Sequence, residues 1–91
     1  MIHRMSEQNI DMAQGLNGFA KQALESLKGL SPDEQSQYGA QALGKAIDFG
    51  DVRATELASK ALQVMEKFPH FPRPRAAVVM RALETLSRGQ A

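Results

Sequence analysis

Between Ile10 and Leu86 the apolar side chains recur at three- and four-residue steps in four separate runs, and nowhere do they alternate. Only a helix lines up such positions along one stripe, so this spacing commits the chain to an all-α fold. The first run, from about Ser6 to Lys28, aligns Ile10, Ala13, Leu16, Phe19, Ala20, Ala23, Leu24 and Leu27. Gly15 and Gly18 weaken it, each by about 1 kcal/mol relative to alanine. Residues 1–5 are expected to lie outside it without order, and Met5 serves as a start as well as Met1.

The second run opens on the strongest boundary signal in the chain. In Ser31-Pro32-Asp33-Glu34 a serine cap is followed by proline at the first helical position and by a glutamate that can return to the cap amide. The pattern predicts a helix over 32–49 that stops at Gly50, with Tyr38, Ala42, Ala46 and Phe49 inward and Leu43 and Ile47 beside them. Gly39, Ala40 and Gly44 leave bare backbone, an invitation to close helix packing. Asp51 caps a third helix to about Phe68, with Ala54, Leu57, Ala58, Ala61, Leu62, Met65 and Phe68 inward. Asp48-Phe49-Gly50-Asp51 therefore reads as a helix stop followed by a helix cap, not as an ion-binding loop.

Phe68-Pro69-His70-Phe71-Pro72-Arg73-Pro74-Arg75 has three prolines in six residues, which predicts a break in the helical pattern. Pro74 is then the expected start of a last helix over about 75–88, with Ala76, Val79, Met80, Leu83 and Leu86 inward, Val78 on the polar side and Gly89 as terminator. Met12 falls on the polar side of the first helix in the same way. Short connections between the first three helices imply antiparallel neighbours. The expectation is one small four-helix domain with a central antiparallel helical hairpin.

Composition narrows the function classes. Zero cysteines exclude a disulfide scaffold, a thiol nucleophile and a Cys-ligated zinc site. The longest apolar run, Ala76 to Met80, is five residues, against the ~20 that a membrane helix needs. No signal-peptide pattern opens the chain, so a cytoplasmic location is expected. There is no Gly-x-Ser-x-Gly turn, no glycine-rich phosphate loop and no His-Glu-x-x-His helix. His3 and His70 are the only histidines; a two-histidine metal site is one reading, solvent-exposed imidazoles the other. No catalytic residue, metal or cofactor is expected, and the chain reads as a non-enzyme.

The segment from Leu43 onward carries a family pattern. Leu43-Gly44-Lys45-Ala46-Ile47, then Gly50-Asp51-Val52, then Glu56-Leu57-Ala58-Ser59-Lys60-Ala61-Leu62 and finally Pro69 resembles a single tetratricopeptide repeat spanning Tyr38 to Pro69. The resemblance implies that Gly44 lets one helix lie on the next, with Ala58 and Ala61 filling small sites at the crossing. It also implies a peptide- or protein-binding unit, like the small tetratricopeptide-like chaperones of bacterial secretion systems. The turn before Gly50 is shorter than the family's, the stretch from Leu62 to Pro69 is longer, and there is no second copy.

Two groups of residues are candidate sites. Phe68, His70, Phe71, Arg73 and Arg75 sit on a proline-stiffened loop, with Val78 beyond it. Aromatic residues and arginine are enriched at interfaces, and a stiff loop loses little entropy on binding. The competing reading folds Phe68 and Phe71 inward as a lid. The last segment, residues 70–91, holds four basic side chains and one acidic one within a chain of net charge +1. Arg75, Arg81 and Arg88 form a loose basic stripe that could touch phosphates, or simply be solvated. The expected role is a protein-binding adaptor, small chaperone or assembly subunit whose partner is another protein or a second copy. An enzyme-blocking immunity or inhibitor protein fits the same features, and a nucleic-acid-binding regulator is the alternative from another class.

Overall fold

The boundary chemistry read from the sequence places three turns among four helices. The computed structural model describes residues 2–88, with side chains from residue 15 onward. It contains α1 (Ile2–Leu27), α2 (Pro32–Ile47), α3 (Val52–Met65) and α4 (Pro72–Ser87), and no strand among the described residues. At the start of α2 the Glu34 amide donates to Ser31 Oγ at 3.3 Å, and the Ser31 amide donates to Glu34 Oε1 at 3.4 Å, closing a capping box. Asp51 Oδ1 accepts from the Ala54 amide at 2.9 Å and starts α3. Between them Gly50 takes φ +80°, a left-handed conformation that side chains disfavour.

Several boundaries differ from the sequence reading. Helix α4 begins at Pro72, not after Pro74, because the first-turn amides of a helix have no partner inside it and proline there forfeits nothing. Pro72, Arg73 and Pro74 fill these positions, and the Arg75 amide donates to the Phe71 carbonyl at 3.3 Å. Helix α2 ends at Ile47 and α3 at Met65, two and three residues before Phe49 and Phe68. Helix α1 starts at Ile2, where no glycine or proline interrupts the backbone, so residues 2–5 are helical and not without order. Met1 and the terminator Gly89 lie outside the described residues, as do the side chains of Ile10, Met12 and Ala13.

Helices α2 and α4 each lie against all three of the others, while α1 and α3 do not meet among the described residues. The α2–α3 hairpin is thus joined by α4, with α1 on the opposite side. What sets the spacing of α2 and α4 is Gly39: a Cβ built on it would overlap Val79. Val79 is fully buried and branched at Cβ, so it has no flexible end to swing aside. Gly44, the close-packing glycine implied by the repeat resemblance, faces open space instead. Ala58 and Ala61, expected inward from their spacing on α3, are buried.

Alanine dominates the interior, at eight of the fourteen buried apolar residues. Leu27, Leu43, Met65, Val79, Leu83 and Leu86 supply the rest, and none of the five aromatic residues is buried. Helices that close at small residues leave no volume between them for a ring. Tyr38 and Phe49, expected inward, are 50% and 46% exposed for this reason. Val78, expected on the polar side, is half-buried against the core.

Two side chains tie the ends together. Gln35 Nε2 donates to the Leu27 carbonyl at the end of α1, and Arg75 Nη1 to the Met65 carbonyl at the end of α3, both at 2.8 Å. The Arg75 bond is the stronger kind, because a cation meets carbonyls at the negative end of a helix. No helix among the described residues is long and apolar enough to cross a membrane.

Gly39→Ala should destabilise the protein by about 2 kcal/mol in urea unfolding, the overlap with Val79 outweighing the better helix propensity. In a Val79→Ala background the same change should be milder by at least about 1 kcal/mol. Gly44→Ala, in open space, should instead stabilise by about 0.5–1 kcal/mol.

Candidate partner-binding surfaces

An alanine interior displaces the large rings to two places on the outside. The first is the seam between α1 and α2. Tyr38, Ala42 and Lys45 fall at four- and three-residue steps and share one side of α2, and Phe49 follows two residues past its end. Beside them runs a groove of about 210 Å³ lined by Phe19, Ala23, Ser26 and Leu27 of α1 and by Tyr38, Gln41, Ala42 and Lys45 of α2. Phe49 packs on α1 from beyond the end of α2. Its ring rests on the bare backbone of Gly15, where a Cβ would stand 3.3 Å from Cε2. It meets Phe19 at a centroid distance of 5.5 Å and a tilt of 40°, within the favourable range for aromatic pairs. Val52, just past the Asp51 cap, is 72% exposed on the adjoining turn.

The second place is the proline-rich end. A cleft of about 310 Å³ separates the first turns of α2 from the connection into α4, lined by Asp33, Ser36, Gln37, Pro69, His70, Pro72 and Arg75. Ser36 is buried and donates its hydroxyl to the Asp33 carbonyl at 2.8 Å, so its polarity is spent inside the helix. Asp33 lines the cleft with Arg75 and His70 but makes no ion pair with either. The ion pairs among the described residues are Lys28–Glu25 at 3.1 Å and Arg88–Glu84 at 3.7 Å. Both are solvent-exposed pairs of the weak surface kind. Helix α4 opens at Phe71 with no side-chain cap.

The six partner-binding residues read from the sequence divide on this surface. Phe71 is 59% exposed, and His70 and Arg73 are exposed with it, so these three form a patch around the start of α4. Phe68 is half-buried, in between the lid and anchor readings. Arg75 lines the cleft, but one edge of its guanidinium is committed to Met65. Val78 is turned toward the core and stands apart from the patch. Periodicity places Tyr38 and Phe49 in the interior and so hides the seam. The signal that could have found it is the alanine at more than half of the inner positions, which leaves too thin a core to cover rings.

The basic stripe is thinner than its sequence spacing implies. Arg75 is held by α3 and Arg88 is paired with Glu84, which leaves Arg81 as the exposed cation of the three without an ion pair among the described residues. A single such cation gives little phosphate affinity. No group of three metal-ligating side chains converges among the described residues. The side chain of His3 lies outside them, and with it the two-histidine site.

The different duties of the two arginines at the start of α4 are measurable by thermal or urea unfolding. Arg75→Met should lower stability by about 1–2 kcal/mol through the lost bond to the α3 terminus. Arg73→Ser should stay within about 0.5 kcal/mol of the parent. Comparison of the chain with protein-family models, with curated proteins and with solved structures finds no match.

Proposed function

We propose that this protein is a non-enzymatic protein-binding module, an adaptor, small chaperone or assembly subunit that works by covering apolar surface on another protein. The observation that carries the reading is the exposure of its aromatic residues: an interior built on alanine, with Tyr38, Phe49 and Phe71 each about half or more in solvent. Rings of this size are the usual anchors of interfaces, where they contribute much area at little entropic loss.

The α1–α2 seam is the principal docking surface in this reading. Phe19 and Phe49 are already held against each other, so an incoming apolar side chain meets a preformed wall. Tyr38 and Lys45 stand on the open side of the groove and set the polar contacts. Phe71, His70 and Arg73 at the proline-rich end form a second patch, with Phe68 behind it. The cytoplasm, where the chain's lack of cysteine is unremarked by redox conditions, is the proposed compartment.

Affinity capture with the tagged chain, followed by light scattering on the eluate, tests this. The expected result is a stoichiometric protein partner or a defined self-association. Tyr38→Glu should abolish seam-dependent capture while the helical circular-dichroism spectrum and the melting temperature stay close to the parent's. A chain that stays monomeric and retains nothing, in the parent as in the variant, would overturn the proposal.

A further inference from the structure

We propose that the seam between α1 and α2 takes an acidic amphipathic helix of another protein. The proposal rests on the protein-binding reading and deepens it, giving the occupant of the same groove a chemistry. The two helices run in opposite directions. Gln35, near the start of α2, bonds to the Leu27 carbonyl at the end of α1, while Phe49, past the end of α2, meets Phe19. The groove therefore has a ring toward each end, Tyr38 near the start of α2 and Phe19 near its finish. Ala23, Leu27 and Ala42 line it between the rings, with Ser26 and Gln41 as neutral polar members. Among the described residues Lys45 is the one charged side chain in this lining.

That lining discriminates between occupants. A backbone amide taken out of water needs a partner. An extended segment laid in the seam would press its amides against two helices whose own backbone groups are bonded internally, and no sheet edge exists among the described residues to pair it. A helix brings its bonds with it and offers only side chains to the groove. The spacing suits one: Tyr38 and Lys45 stand seven residues apart on α2, a rise of about 10 Å. Two apolar side chains one helical turn apart fit within that span. Charge then selects which helix. Lys45 is exposed and makes no ion pair among the described residues, not even with Asp48 one turn on, and Glu25 of α1 is engaged by Lys28. A carboxylate one turn beyond the apolar pair meets Lys45 at the rim, whereas a lysine or arginine there is repelled.

A phage-displayed library of random peptides, selected on the immobilised full chain, reads the occupant directly. The expected motif has two apolar residues three or four apart and an acidic residue three or four further on, and peptides that carry it should gain helicity on binding. For a synthetic peptide of that motif, fluorescence anisotropy should show Kd raised about threefold by Lys45→Gln and about tenfold by Lys45→Glu. Selection on Lys45→Glu should replace the acid by lysine or arginine, and Tyr38→Glu should abolish enrichment. Circular dichroism checks that each variant folds, and the milder Lys45→Gln keeps the test open if the reversal does not. A proline-rich or basic motif, a motif unmoved by Lys45→Glu, or no enrichment at all overturns the proposal. A self-association dissolved by Tyr38→Glu gives the seam to a second copy and overturns it too. If the tagged chain still retains a stoichiometric partner in those cases, the protein-binding reading stands without this one; if it retains nothing and stays monomeric, both fall.

Discussion

The approach of α2 to α4 at Gly39 is the constraint from which the rest of this structure follows. Val79 occupies the space where any side chain at position 39 would begin, so the two central helices sit nearly backbone to side chain. Around that approach Ala42, Ala46, Ala76 and Ala82 on these two helices are buried, beside Leu43 and Leu83. A core of small side chains removes less apolar area per residue than one of leucine and phenylalanine, so its stabilisation comes from close dispersion contact over many atoms. Tight spacing and displaced aromatics are thus two sides of one arrangement.

Most of the architecture was legible in the sequence because it is encoded locally. The Ser31 box, the Asp51 cap and the Gly50 turn each depend on residues within four positions of one another, and each forms as the spacing predicts. What escaped depends on neighbours distant in the chain. Whether Gly39 or Gly44 receives another helix is decided by Val79, forty residues away from Gly39. Whether Tyr38 and Phe49 go inside is decided by how much room α4 leaves, and periodicity on α2 carries no record of that. The start of α4 differs for another reason: three prolines in six residues read as helix breakers, although in a first turn they are tolerated without loss.

The candidate sites were legible only in part. Reading Phe71, His70 and Arg73 as surface-exposed relied on prolines keeping them out of regular packing, which is a local argument. Arg75 looks equivalent to Arg73 by composition, yet it closes the end of α3 ten residues back. Val78 looks polar-facing by helical arithmetic, yet α4 lies against all three other helices and Val78 packs against the core. The seam needed both the depth of the interior and the slot at Gly15, and neither can be read from one helix alone.

The alanine interior also shapes how such a chain can change over generations. Inner positions that admit only a methyl group accept few replacements, since anything larger must push two helices apart. The surface rings and charges are under no such steric rule. New specificities can therefore be written on the outside, by exchanging the groups around Tyr38, Phe49 or Phe71, while the scaffold beneath stays as it is.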